Sequence, residues 1–174
     1  MKRIIAIAIV LVVCVFGGFY LFDILKLNKE DYEFTSFQSF LNENFFPVLN
    51  DTFKHFDQAA DELEDDTFLE WYLNLDGLEE NEAFQKRVVN TERIVFDEEV
   101  NGTSTLSLKK NILEQIDVLQ ETLDLLYDAA EVQAGSTDEL HQAFTVKIEE
   151  LSNLSEVMNT IMEANDEVEE AGSF

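Results

Sequence analysis

Two histidines, His55 and His141, carry the most versatile chemistry in this sequence. Imidazole is a common metal ligand and acid–base group, and di-iron helical bundles place a Glu-x-x-His pair on each of two helices. Asp138 precedes His141 by three residues, whereas Thr52 holds the equivalent place before His55. Because one imperfect half of the pattern does not specify a di-metal site, we predict no metal centre and expect both histidines at the surface.

Carboxylates are the most abundant reactive groups, with dense runs at 62–66, 79–82 and 97–99. None of these runs alternates its ligands around a central glycine, as the calcium loop of an EF-hand does. The sequence also has no Gly-x-Ser-x-Gly, glycine-rich phosphate loop or His-Glu-x-x-His motif, and its one cysteine, Cys14, lies in an apolar segment. We therefore predict a non-enzymatic protein without a cofactor, which binds divalent cations only weakly through solvated helix faces.

Aromatic residues beside predicted helix breaks are the remaining candidates for a binding surface. Phe46 precedes Pro47, and Trp71 and Tyr72 stand shortly before Gly77. An aromatic groove at such a break can hold a ligand or a partner. We favour core packing as the interpretation of these side chains. If they are exposed instead, Phe46, Trp71 and Tyr72 are the candidate contacts for a partner.

A long apolar segment near the N-terminus indicates on which side of a membrane the candidate residues lie. Residues 4–22 contain no charge, amide or proline, and an extension to residue 25 gives the ~20 residues that a helix needs to cross a bilayer. The two basic residues within the tail at 1–3 favour a cytoplasmic N-terminus. We predict a single-pass signal-anchor helix at 4–25. The alternative is a secreted protein that is cleaved after Gly17, with Val15 and Gly17 at positions −3 and −1 of the cleavage site.

The chain that follows the apolar run 4–22, residues 23–174, is strongly acidic. Nine basic residues remain there against 37 acidic ones, a formal charge of −28. This charge opposes binding to nucleic acid and lying flat on an anionic leaflet, yet 15 Phe and a single Pro still favour a packed core. We predict an extracytoplasmic acidic bundle at 26–170 and a frayed end at 171–174, because the acidic residues at 166–170 lie at the C-terminus of the last helix, where the helix dipole disfavours them.

Apolar residues at helical spacing predict four helical stretches in this part, at 30–63, 67–101, 106–134 and from 136 onward. The third carries a heptad seam, with gaps of 4, 3, 4, 3 and 4 residues between Ile112, Ile116, Leu119, Leu123, Leu126 and Ala130. Short turns join the stretches and favour antiparallel neighbours. We predict an all-α protein, in which the transmembrane helix is followed by an antiparallel up-down four-helix bundle; a three-helix bundle with a loose first stretch is the alternative.

Local signals mark the ends and breaks of these stretches. Thr35, Thr67 and Ser136 each precede a Glu or Gln by three residues, which is the spacing of a capping box at a helix start. Pro47 either kinks the first stretch or lies in the first turn of a second helix; the kink is favoured, because the apolar stripe continues beyond it. Gly77 is expected to break or kink the second stretch.

An anchored, packed domain without catalytic motifs suggests a non-enzymatic protein that binds another envelope protein or scaffolds an envelope assembly. In this layout the chain resembles the small anchored helical proteins that Gram-positive bacteria display outside the membrane. The alternative is an extracytoplasmic ligand- or cation-binding sensor or accessory module that works through a membrane partner. In a third interpretation the acidic excess serves only solubility at high salt.

Overall fold

The structure of the protein, a computed structural model, describes residues 29–74, 77–132 and 137–171. All regular structure in these ranges is helical, which confirms the all-α fold class. The helices are α1 (Lys29–Asn44), α2 (Phe46–Glu64), α3 (Phe68–Asn74), α4 (Gly77–Asp97), α5 (Thr103–Val132) and α6 (Thr137–Ala171). The predicted tail and anchor helix, residues 1–25, lie outside the described residues, as do Ser136 and 172–174. No helix in the described part of the chain is long and apolar enough to cross a bilayer.

The first predicted stretch consists of α1 and α2, which are separated only by Phe45. Pro47 lies in the first turn of α2, where its missing N–H has no intrahelical acceptor to lose, so the prediction of one kinked helix was wrong. The backbone amide of Phe45 still donates to the Leu41 carbonyl, and that of Leu49 to the Phe45 carbonyl, both at 2.9 Å. The apolar stripe therefore continues across the junction. Thr35 lies inside α1, so the capping box predicted there does not exist.

The turn between α2 and α3 closes without glycine. Asp66 has a φ of 59°, a left-handed conformation that Asp tolerates better than most residues, and the Thr67 amide donates to the Glu62 carbonyl at 2.9 Å. This is the bond of a Schellman motif, which satisfies a carbonyl at the helix end. The Thr67 hydroxyl donates to the Glu62 carboxylate at 2.6 Å, so its side-chain partner is Glu62 and not the predicted Glu70.

α5 lies in the middle of the packing and contacts α4 and α6 most extensively. Its predicted heptad seam is confirmed, because all six of the named apolar residues are buried. Residue pairs run in opposite directions along neighbouring helices: Asn81 of α4 reaches Leu123, whereas Phe96, further along α4, lies beside Lys109. The beginning of α1, the beginning of α5 and the last turns of α6 meet at one end, where Asp31, Thr103 and Asn165 line a common cavity.

Candidate functional site

His55 lies at the centre of a buried group of aromatic and polar side chains, and the prediction of a surface position for it was wrong. Only 2% of the residue is exposed. Its ring centroid is 5.4 Å from that of Trp71 and 5.2 Å from that of Phe84. Its Nε2 lies 3.2 Å from Asn81 Oδ1, and its Nδ1 lies 3.4 Å from Glu80 Oε2. These five residues, from α2, α3 and α4, are called the His55 cluster below.

Asn81 determines which ring nitrogen of His55 carries a proton. Asn81 Nδ2 donates to the Leu123 carbonyl at 3.0 Å, so Asn81 Oδ1 faces His55 and the Nε2–H must donate to it. Burial lowers the pKa of His55, while the hydrogen bonds to Asn81 and Glu80 and the Glu80 charge raise it; the net direction is downward. The ring is therefore neutral over a wider pH range than an exposed histidine.

The three candidate partner contacts, Phe46, Trp71 and Tyr72, are all buried. Trp71 belongs to the His55 cluster. The Tyr72 ring meets the Trp71 ring edge-on, with 6.0 Å between the two centroids, and the Phe46 ring lies 5.4 Å from the Phe45 ring. Core packing, the favoured interpretation, describes their positions, and none of them offers a surface to a partner. A Cβ on Gly77 would lie 2.8 Å from Tyr72 Cα, so glycine is needed where α4 begins against these rings.

The His55 cluster does not have the arrangement of an active site. An imidazole beside a carboxylate resembles a general base and its orienting partner, but the ring is enclosed by the side chains of Trp71 and Phe84. The Thr52 hydroxyl, one helical turn before His55, donates to the Val48 carbonyl at 2.8 Å. The cluster therefore fastens α2 to α4 and does not present a reactive group.

Carboxylates crowd several helix faces without forming a metal site in the described ranges. There, no group of three or more His, Cys, Asp or Glu side chains is arranged to hold an ion. Burial and the neighbouring Asp61 charge raise the pKa of Asp57. Burial, followed by the charges of Glu92 and two other carboxylates, raises the pKa of Asp117. His141 is half-buried on α6. Weak cation binding at the acidic faces stays a prediction.

A second set of buried polar side chains lies between α5 and α6. Asn111 Nδ2 donates to the Leu154 carbonyl at 3.0 Å, and Gln115 Nε2 donates to Asn111 Oδ1 at 2.7 Å. Gln115 Oε1 and the Ser155 hydroxyl are buried without a hydrogen-bond partner. The bond from Asn111 to the Leu154 carbonyl joins α5 and α6 in one register, whereas the two unpaired oxygens cost stability.

A cavity of about 260 Å³ opens where α1, α5 and α6 meet. It is lined by Asp31, Gly102, Thr103, Ser104, Thr105, Ala164 and Asn165. Glu33 Oε1 accepts the backbone amides of Asn101 and Gly102 beside it, which ties α1 to the start of α5. The Thr105 hydroxyl is buried and has no hydrogen-bond partner. Polar groups therefore converge on this space from three helices.

One outer face of α4 exposes apolar and cationic side chains side by side. Phe96 is 68% exposed and Val89 is 55% exposed, and their spacing of seven residues puts them on the same side of the helix. Lys86 and Arg93 are also exposed on this side. These four residues are called the α4 stripe below. Arg93 donates to Asn90 at 3.0 Å, which holds its guanidinium at the surface.

No protein-family model, curated protein or solved structure matches this chain. Asn81 and Thr105 were not predicted to be buried, although the sequence carries a signal for each: Asn81 stands seven residues before Val88, and Thr105 seven residues before Ile112. Both polar residues thus occupy positions of an apolar heptad seam, where burial is to be expected.

Proposed function

We propose that the chain is a membrane-anchored, extracytoplasmic and non-enzymatic protein that binds another envelope protein or scaffolds an envelope assembly. In this proposal residues 4–25 form the anchor, and the six helices form an antiparallel up-down four-helix bundle outside it. The apolar N-terminal segment supports the anchor. The short connections and the opposed pairing of α4 with α5 support the topology. Intact cells treated with protease test the orientation, because an outer bundle is digested and a cytoplasmic one is protected.

The α4 stripe is the observation that carries the interaction proposal. Exposed Phe and Arg side chains are enriched in protein interfaces, and the stripe offers both types within one turn. It is also a place where cationic side chains reach the surface of a chain with a net charge of −26. The partner that fits best is a protein segment with an apolar side chain for Phe96 and carboxylates for Arg93 and Lys86.

Site-specific photo-crosslinking in native membranes tests this surface. A photoreactive residue at Val89 should give a protein adduct, and the additional substitution Arg93→Glu should abolish it by repelling the acidic partner. Val146, which is 55% exposed on α6, is the matched control position and should give no adduct. An adduct that survives Arg93→Glu, or that forms equally from position 146, would contradict the assignment of the stripe.

A second candidate function, a ligand-binding accessory module, is favoured by the cavity at the start of α5. Its polar lining converges from three helices, and one of these, α1, is the helix closest in sequence to the proposed anchor. Thermal unfolding of the full chain in detergent, with and without small polar molecules and divalent cations, tests this candidate, because a ligand that binds the folded state raises the midpoint temperature.

A further inference from the structure

A row of carboxylates runs along the outer side of α5. It consists of Glu114, Asp117 and Glu121, which are all exposed and whose spacing of three and four residues places them on one side of the helix. These three residues are called the α5 row below. Burial, followed by the charges of Glu92, Glu121 and Glu114, raises the pKa of Asp117. The carboxylates therefore repel one another, and a cation brought against them would be stabilised.

The α5 row lies level with the α4 stripe along the bundle. Gln120 of α5 donates to the Glu92 carboxylate of α4 at 2.9 Å, and the Lys109 ammonium lies 5.8 Å from the centroid of the Phe96 ring. Residues 109–120 of α5 are therefore opposite residues 92–96 of α4. Arg93 and Phe96 follow Glu92 by one and four residues, so the cationic and the acidic surface lie side by side on one face of the bundle.

Two copies of the chain can match these surfaces twice. Each copy has a net charge of −26, so two copies repel each other unless a cationic surface of one meets an acidic surface of the other. Because the α4 stripe and the α5 row lie at the same level, a two-fold axis along the bundle places each stripe on the row of the other copy. Both copies then point in the same direction, as two chains anchored in one membrane require.

We propose that the partner of the α4 stripe is the α5 row of a second copy, in a symmetric dimer. Arg93 of each copy lies against Asp117 of the other, and Phe96 packs on Leu106, which is 48% exposed at the start of α5. The inference rests on the interaction function proposed above and identifies its partner.

The existing ion pairs single out Arg93 and Asp117 as the central contact. Lys86, Glu114 and Glu121 each have an oppositely charged neighbour within their own chain. Arg93 donates only to the neutral side chain of Asn90, and Asp117 faces other carboxylates. Among the residues that the structure describes, these two have no ion-pair partner, so a contact between them breaks no existing pair.

Sedimentation of the full chain in detergent measures the association. The unmodified chain should form dimers and no larger species, because a symmetric contact uses both surfaces of both copies. Arg93→Glu and Asp117→Arg should each weaken the dimer at least about tenfold, since each brings like charges together in both contacts. An equimolar mixture of the two variants should restore a dimer with one copy of each, because opposite charges then meet in both contacts.

Lys54→Glu and Glu156→Arg are the matched controls. They change the net charge by the same amounts at exposed positions on α2 and α6, outside both surfaces, and should dimerise like the unmodified chain. The inference is overturned if the unmodified chain stays monomeric, if the two reversals dimerise like their controls, or if their mixture stays monomeric. Circular dichroism should show the same helical spectrum for all variants, because every substituted side chain is exposed.

The crosslink from Val89 gives a second measurement that needs no charge reversal. In this proposal the adduct has twice the mass of the chain and consists of two copies. An Arg93-dependent adduct with a different protein would overturn the dimer and leave the proposed interaction function standing. The absence of any adduct from Val89 would contradict both.

Discussion

Acidification should destabilise the bundle through His55. Burial holds the pKa of His55 below its ordinary value, whereas in the unfolded chain it titrates near the reference value of about 6.5. Below this pH the unfolded state binds more protons than the folded state, so stability falls. The contribution of His55 to the free energy of unfolding is complete above pH ~6.5. It is lost as the pH falls from there through the pKa that His55 has in the folded protein. Glu80, half exposed at 46% of its side chain, opposes this loss only in part.

Asn81→Asp should reverse the sign of this dependence. The new carboxylate would lie where Asn81 Oδ1 now stands, 3.2 Å from His55 Nε2, and an opposite charge at such a distance favours the protonated ring by about 1.4–4 kcal/mol. The variant also loses the donor to the Leu123 carbonyl and buries a charge, so at pH 8 we expect it to be less stable by at least about 1–3 kcal/mol. The difference in stability between the variant and the unmodified protein should become smaller as the pH falls from 8 to 6, because His55 then becomes charged and pairs with the new carboxylate.

Urea unfolding followed by the fluorescence of Trp71 measures both effects, because Trp71 is the one tryptophan of the chain and packs against His55. Proton NMR of the imidazole locates the titration directly, and a His141→Gln variant assigns the two histidine resonances. His55→Phe is the control and should flatten the dependence of stability on pH between 7 and 5. The reasoning would be refuted if His55 titrated at or above pH 6.5 in the unmodified protein, or at a lower pH in Asn81→Asp than in that protein.

Four substitutions test the packing elsewhere. Gly77→Ala should lower the free energy of unfolding by about 1–3 kcal/mol, because its Cβ would lie 2.8 Å from Tyr72 Cα and a backbone atom cannot swing aside; chemical denaturation that shows no loss would contradict the contact. Ser155→Ala removes a buried hydroxyl without a partner and should leave the free energy of unfolding unchanged or raise it by up to about 1 kcal/mol. Thr122→Val removes a hydroxyl that donates to the Val118 carbonyl and should lower the free energy of unfolding by about 1 kcal/mol. A larger loss from Ser155→Ala than from Thr122→Val would show that the Ser155 hydroxyl has a partner. Pro47→Ala should lower the free energy of unfolding by about 0.4–1 kcal/mol, since proline fits the first turn of α2 and stiffens the unfolded chain; a higher melting temperature would show that Pro47 is strained.

The helices were predictable because the apolar residues repeat at the helical period over long ranges. α5 illustrates this: its seam from Ile112 to Ala130 is buried throughout, and its predicted start at Leu106 is three residues from the observed one at Thr103. The end of α2 at Glu64 was also predicted to within one residue, from the last apolar residue of the stripe, Leu63. The turn that follows has its left-handed residue at Asp66 and not at a glycine, a conformation that Asp adopts more readily than most residues. The break between α1 and α2 was missed, because the apolar stripe continues across it.

The candidate sites were harder to predict, because they depend on residues that are distant in sequence. His55 was expected at the surface on account of its polarity, yet Asn81, 26 residues later, supplies the hydrogen bond that allows its burial. The cavity depends on Asp31, Thr105 and Asn165, which belong to three different helices. Periodicity specifies which side of each helix turns inward, but it does not specify how far the helices are shifted along one another.

Buried polar groups in this bundle fall into two kinds. In the His55 cluster the imidazole and the Asn81 amide satisfy each other within the protein, so the cost of burying them is offset where they lie. Gln115, Ser155 and Thr105 each have a buried side-chain oxygen without a hydrogen-bond partner, and the indole nitrogen of Trp71 also lacks one. Each of these groups costs stability, which the apolar packing around it has to offset.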